Sequence, residues 1–488
     1  MGNFNKYFLW FIISAQLVLF FVVMNDPFHG DAIASTARAA LHIYDTNLQT
    51  IFYPTNYDPG HPTLFPYILA MCWIFFGKSL WVAHALVTIV CILTLFVFRK
   101  IATIYLNASQ TNFATLLFSV YSIYVSQCAL LLNTPMFFLL ALSCFYSLLK
   151  NKKYIFISSS ILMELTHLQS NFMLLSFFGI FTYHYFFLAN EKPKRILQFV
   201  KQSLSWFSPA ILVFGIWVFL HKQHTSWAIF SPLYTEHDKL KSISQFLQSM
   251  AIIVWRLFDY GMVAIYFFIT LFIFQKKYNK ELVAFFLIAL LSSAVCMGLF
   301  LYNTIGHRYF LFVQLLAILI FVDALGRTNY NKKLLIAISL ICLFLGNFLF
   351  YPGKNLGDGT ILYRSFFELE KKLKNDFVGQ TIYSYAPLSS ESKFRHLNNN
   401  GIDFIPLNEV SIDTVKIIFQ SNINAEFTKP QKDFLQNNWY GNTYENGAVY
   451  VNVFLNPKYF NKDEKFRLRE LSDFEKWILD LKYKWRGE

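Results

Sequence analysis

Apolar runs long enough to cross a bilayer recur along this chain, and they restrict its fold more than any other feature. Tyr7–Met24, Leu80–Phe98, Leu204–Leu220 and Met250–Phe274 are examples. A crossing needs about 18 or more apolar residues, and backbone groups in hydrocarbon must bond within their own segment, so these runs are helices. With 55% hydrophobic and 19% aromatic residues, the composition excludes a soluble core of Phe-rich helices. The chain reads as an α-helical polytopic membrane protein.

The formal charge of +13 would suit a nucleic-acid groove if the basic residues formed one patch. They instead fall in short clusters between the runs: Arg99-Lys100, Lys150 with Lys152 and Lys153, Lys192 with Lys194 and Arg195, Lys276 with Lys277 and Lys280, and Arg327 with Lys332 and Lys333. That is the positive-inside pattern, and it excludes nucleic acid as the partner. Taking the clusters as cytoplasmic gives crossings at Tyr7–Met24, Leu80–Phe98, Phe113–Leu130, Met136–Leu149, Tyr154–Thr166, Phe172–Leu188, Leu204–Leu220, Met250–Phe274, Leu282–Tyr302, Tyr309–Leu325 and Leu334–Tyr351. The expectation is about eleven spans, with the N-terminus inside and the C-terminus outside. Thr63–Phe76 is expected to lie along the interface, since a crossing there would put every later cluster on the wrong face. The first run lacks a small-residue cleavage site and reads as a retained anchor. All six cysteines lie in apolar segments without zinc-site spacing, so no disulfide staple is implied.

The chain divides at Pro352. Residues 1–351 form the transmembrane domain, with outer loops at 25–77 and 221–248, and residues 352–488 form a soluble α/β domain on the outer face. Pro352-Gly353 and Gly357-Asp358-Gly359 punctuate the change. An amphipathic helix is expected over Arg364–Lys374, and strands over Thr381–Tyr385, Val415–Gln420 and Ala448–Phe454. This is about 130 residues, enough for a modest core. No internal repeat is present.

The loop after the first span is not linker filler. It carries Asp26, Asp31, Asp45 and Asp58 with His29, His42 and His61. Asp31 follows Gly30 and opens an alanine-rich helical stretch, where the helix dipole favours an ionised carboxylate. It reads either as a plain N-cap or as a base facing a substrate from the outer aqueous side. Asp58 and His61 share a turn stiffened by Pro59 and Pro62, which suits an anion contact as well as a purely structural turn. His221, His224, Glu236 and His237 lie in the second outer loop. With His61, Glu236 and His237 are the best-suited ligands for a divalent metal, the one cofactor these residues suggest. Arg308, in Gly306-His307-Arg308-Tyr309-Phe310, either snorkels to lipid headgroups or clamps a phosphate. Arg256 and Asp259, costly in lipid, are expected to pair with each other or face a polar cavity, as are Glu164 and His167. These charges lie toward the outer leaflet, with Asp323 as the main exception.

Three stretches in this order resemble the GT-C glycosyltransferases of the family 39-like branch, which includes protein O-mannosyltransferases and the lipid A aminoarabinose transferase. They are Asp31 a few positions beyond the first span, DPGHPTLFPYILAMCWIFFG in the first outer loop, and HRYFLF at the start of a late span. The resemblance implies an inverting transfer of a sugar from a polyprenyl-phosphate carrier to an acceptor hydroxyl of a glycan, lipid or protein. The setting would be the periplasmic face of a bacterial plasma membrane. It further implies Asp31 as general base, and Asp58, His61, Arg256, Arg308 and Tyr309 as contacts to the donor. The chain departs from the family pattern at Ala32, His61 and Asn133, where Glu, Lys and Asp are frequent. The alternative is a transporter or lipid flippase, which calls for broken helices with mid-membrane charges and two related halves. The absence of a repeat and the charge on one side weigh against it.

Overall fold

The computed structural model describes residues 2–55, 58, 60–188, 196–229, 242–300, 306–348, 359–384, 391–399, 401–407, 410–422, 428–461 and 467–486. Its membrane part consists of α1 (Gly2–Val23), α2 (Arg38–Asp45), α3 (Leu64–Phe76), α4 (Leu80–Tyr105), α5 (Ala108–Val120), α6 (Ser122–Ala129), α7 (Thr134–Leu149) and α8 (Lys153–Glu164). It continues with α9 (Ser170–Tyr183), α10 (Ile196–Thr225), α11 (Ile243–Phe258), α12 (Met262–Phe274), α13 (Lys280–Phe300), α14 (Leu311–Arg327) and α15 (Lys332–Gly346). Among the described residues four helices are long and apolar enough to cross a membrane, and five if α11 and α12 count as one bent span. The other apolar helices are shorter.

The hub is α14. Every residue from Leu311 to Leu325 is buried, and α5, α7, α12 and α13 pack around it. A helix apolar on all sides belongs at the centre of a bundle, where no face needs water. Its polar exceptions are each bonded: the Gln314 amide donates to the Arg256 carbonyl (3.3 Å), and Asp323 accepts from Arg327 one turn on (2.9 Å). Because α14 is held all round, the turn that precedes Leu311 is a firm base for side chains.

Two expected spans are broken. Phe113–Leu130 becomes α5 and α6, separated by extended Tyr121, and the freed Val120 carbonyl accepts from the Asn347 amide at 3.0 Å. Met250–Phe274 becomes α11 and α12, which meet at 92°. Asp259 makes that corner by accepting the Tyr260 N–H (2.8 Å) and Met262 N–H (3.1 Å) through side chain and carbonyl. Gly261 is needed there twice over. Its φ is +83°, and a Cβ would lie 2.1 Å from the Cys342 carbonyl oxygen of α15. Hydropathy alone does not register such a corner, because both arms are apolar.

Helix α3 has 13 residues, too short to cross. It buries Phe65, Leu69 and Trp73 against α2 and α4 and exposes Ile74, Phe75 and Phe76. The C-terminal region is a five-stranded sheet of order β2-β1-β3-β5-β4. It comprises β1 (Ile382–Ser384), β2 (Phe404–Pro406), β3 (Ile417–Ser421), β4 (Tyr440–Asn446) and β5 (Val449–Leu455). β1 runs parallel to β2 and β3, and β5 is antiparallel to β3 and β4. Helix α16 (Ser365–Asp376) covers β4 and β5, and α17 (Ser392–His396) leads toward β2. The three strands expected from the sequence are present within a few residues. β2 and β4 are additional, the first too short and the second too polar to show periodicity.

Candidate active site

Asp31 lies at a sharp change of direction between α1 and α2. Gly30 adopts φ +54° with open space where a side chain would stand, which lets the chain turn from the loop into the helical segment. The expected helix is interrupted at once by a π-helical turn, Ile33–Ala37, closed by Arg38 N–H bonding to the Ile33 carbonyl. Wide turns of this kind recur at functional sites because they re-aim neighbouring side chains. Ala32 and Ile33 are buried, whereas the Asp31 side chain stays 55% exposed. The carboxylate therefore has a protein-lined back and an open front.

Arg308 meets it from the other side. His307–Phe310 form a single 3₁₀ turn at the N-terminal end of α14, and the Arg308 Nη2 donates to Asp31 Oδ2 at 2.6 Å. The Arg308 side chain is only 9% exposed. It lies over the Tyr309 ring at 5.1 Å, with Nη2 3.4 Å from the Tyr309 hydroxyl. Desolvation works to raise the Asp31 carboxyl, but the Arg308 charge and hydrogen bond, helped by His61 and His29, outweigh it. The result lies below the ordinary 3.8.

His61 belongs to the same neighbourhood. Its ring stacks on His167 with centroids 4.4 Å apart, and His167 Nδ1 accepts the Gln169 N–H at 3.0 Å, which leaves the His167 proton on Nε2. Burial first, and the Arg308 charge second, hold His61 down at about 4. It is a neutral hydrogen-bonding group at pH 7 and adds no second positive charge. Gln169 also donates to the Tyr309 carbonyl (2.8 Å), tying the α8–α9 turn to the Arg308 turn.

The remaining expected residues are arranged differently. His307 contacts both Arg256 and Asp259, its Nε2 lying 2.8 Å from Asp259 Oδ2 and 3.3 Å from Arg256 Nη1. This cluster abuts the first through the adjacent residues His307 and Arg308. Asp58 is buried and occupied, with Oδ1 accepting the Gly60 N–H and Oδ2 facing His221 Nε2, both at 2.7 Å. It ties the loop after α1 to the end of α10. Glu164 is buried and accepts from the Ser170 hydroxyl at 2.6 Å. Glu236 and His237 lie outside the described residues. Among the described residues no three of His, Cys, Asp and Glu gather as a metal site.

With this geometry in view, solved structures offer a direct comparison. ArnT from Cupriavidus metallidurans in the apo state superposes with TM-score 0.54 at 11% identity, covering 92% of this chain and 98% of that one. The same protein bound to undecaprenyl phosphate gives 0.52 at 10%, covering 91% and 97%. The chain has the ArnT fold. No family model and no curated protein sequence matches it, so the likeness is one of architecture. Within this fold the loop after α1, the head of α14 and the C-terminal domain meet at one end of the bundle.

His307 and Gln169 did not stand out from sequence, whereas His167 was expected, with Glu164, to pair or face a polar cavity. His307 carried a signal as a polar residue at the end of an apolar run. Gln169 carried none.

Proposed function

We propose that this protein moves a sugar from a polyprenyl-phosphate carrier to an acceptor hydroxyl at the periplasmic face of a bacterial plasma membrane, with Asp31 as general base. The carrying observation is the half-open Asp31 carboxylate set against buried Arg308 at the N-terminal end of the central helix. The ArnT fold, which in one solved structure holds undecaprenyl phosphate, supports the choice of carrier.

The acceptor hydroxyl gives its proton to Asp31 while its oxygen bonds to the anomeric carbon. The carbon–oxygen bond to the phosphate breaks on the opposite face, and its electron pair leaves with the lipid phosphate. Configuration therefore inverts. Negative charge grows on the departing oxygen, where the Arg308 guanidinium is worth most because it is already fixed and shielded from water. His61 and Tyr309 supply neutral hydrogen bonds beside it.

The resting pair also explains how a carboxylate of low basicity serves as a base. A donor phosphate competes for the guanidinium, and each step of Arg308 away from Asp31 restores basicity to the carboxylate. The base is thus at full strength only when the donor is in place.

The test is transfer by purified protein in liposomes, using radiolabelled polyprenyl-phosphate sugars and comparing wild type with Asp31→Asn. The amide keeps the shape and removes the base, so turnover falls by about a hundredfold or more while donor binding persists. Undiminished turnover in Asp31→Asn would remove the base from this residue and with it the mechanism.

A further inference from the structure

The segment just before Asp31 is gripped from outside the membrane. Residues 26–29 meet the C-terminal domain at nearly every position. Arg364 bonds both oxygens of the Asp26 carboxylate through Nε and Nη2, and its Nη2 also donates to the Val22 carbonyl at 2.6 Å, in the last turn of α1. The Phe28 N–H donates to the Arg395 carbonyl at 2.9 Å. The His29 ring lies flat on Tyr363, with centroids 5.0 Å apart and 5° between planes. Gly30 and Asp31 follow.

The aromatic members of this contact belong to one buried core shared with the helices, Phe28 on Trp73 and His29 against Phe366 and Phe367, whereas the Asp26 contact stands at its edge. A cavity of about 480 Å³ opens beside them, lined by Val22, Asn25, Asp26, Arg364, Glu370 and His396. The gripping residues are themselves fixed. Arg395 is fully buried and its guanidinium makes two parallel bonds to Glu370, at 2.7 and 2.6 Å.

We propose that Arg364, Tyr363 and Arg395 are positioning residues for Asp31: the C-terminal domain holds the Asp26–His29 segment so that the Asp31 carboxylate stays in register with Arg308. The physical reason is that Asp31 hangs between two bodies. Arg308 rides on α14, whereas the backbone leading to Asp31 is held by His84 at the Asp26 carbonyl (3.0 Å) and by Phe28 on Trp73 from the helices, and by Arg364, Tyr363 and Arg395 from the C-terminal domain, with the unfilled turn at Gly30 between those holds and Asp31. A base displaced by about 1 Å from its reacting proton loses on the order of a hundredfold in rate. The inference rests on Asp31 being the base, and it gives the C-terminal domain a task that requires no acceptor contact.

The experiment uses full-length protein with three variants: Asp26→Asn, Arg364→Ala and the double. Asp26→Asn is nearly isosteric and serves if Arg364→Ala does not fold. The expected result is a tenfold to hundredfold fall in kcat with little change in donor KM. The double variant should be no worse than the poorer single, because both remove one contact. The acid limb of the rate profile should also move upward, since the groups facing Asp31 (Arg308 from α14, His61 and His29 from the loop) no longer hold it as closely. A simple loss of folded protein would leave that limb in place. Hydrogen exchange across residues 25–37 should rise in both single variants. Additive losses, or wild-type kcat with an unmoved acid limb, would overturn the proposal. If wild type transfers no sugar at all, the catalytic reading fails alone, and exchange across 25–37 still decides whether the grip exists: unchanged exchange in Arg364→Ala would sink it.

Discussion

Glu370→Gln tests how the C-terminal domain is held together. Glu370 and Arg395 are buried, with side chains 5% and 0% exposed, and they share a bidentate contact that His396 extends at 3.2 Å. Burial works to raise the Glu370 carboxyl, but Arg395 and His396 prevail and bring it from 4.5 to about 2. A carboxyl depressed on folding stabilises the fold above its unfolded value and ceases to do so as pH falls through its folded value. Glu370 therefore contributes fully above pH 4.5, and its contribution disappears between there and about pH 2. At about 1.4 kcal/mol per pH unit, the depression corresponds to roughly 3 kcal/mol. Removing one partner of a buried ion pair costs about 3–5 kcal/mol, a separate route to the same size. Glu370→Gln should thus lose about 3 kcal/mol at neutral pH and lack the wild-type decline between pH 4.5 and 2. Urea unfolding followed by pulse proteolysis within residues 359–399 measures the first, and melting in detergent across pH the second. The pair Glu370→Met with Arg395→Met should recover much of the loss, since no charge is left buried. A Glu370→Gln variant within about 0.5 kcal/mol of wild type would refute the assigned role of the pair.

Two glycines separate backbone conformation from crowding. Gly77→Ala, at φ +89° with open space around it, should cost about 1 kcal/mol, whereas Gly261→Ala must also push α12 off α15 and should cost clearly more; equal shifts in melting temperature would contradict the overlap at the corner. Asp58→Asn weakens a charge-assisted contact to His221 worth roughly 1.5–3 kcal/mol. It should raise hydrogen exchange at the described parts of residues 51–62 and in the end of α10 together, and a change confined to one loop would show that the pair does not join them.

The membrane class was legible in the sequence, and so were two side chains, Asp31 and Arg308, that the fold brings together. Each is written in local terms: apolar run length, charge sign between runs, a carboxylate after a glycine at a helix start. Apolar run length predicted continuous helices, but the breaks at Tyr121 and Asp259–Gly261 depend on what lies alongside, Asn347 in one case and the Cys342 carbonyl in the other. Partners distant in sequence were likewise hidden. Nothing local says that Asp26 finds Arg364, that Asp58 finds His221, or that His307 reaches both Asp259 and Arg256. A side chain's chemistry is fixed by its type and a helix by its neighbours, whereas a charge 338 positions away becomes a partner only when packing closes the distance. The sequence thus named the groups able to do the chemistry, and the tertiary structure decided which of them meet: Asp31 with Arg308 on the membrane side, and Asp26 to His29 with the domain above.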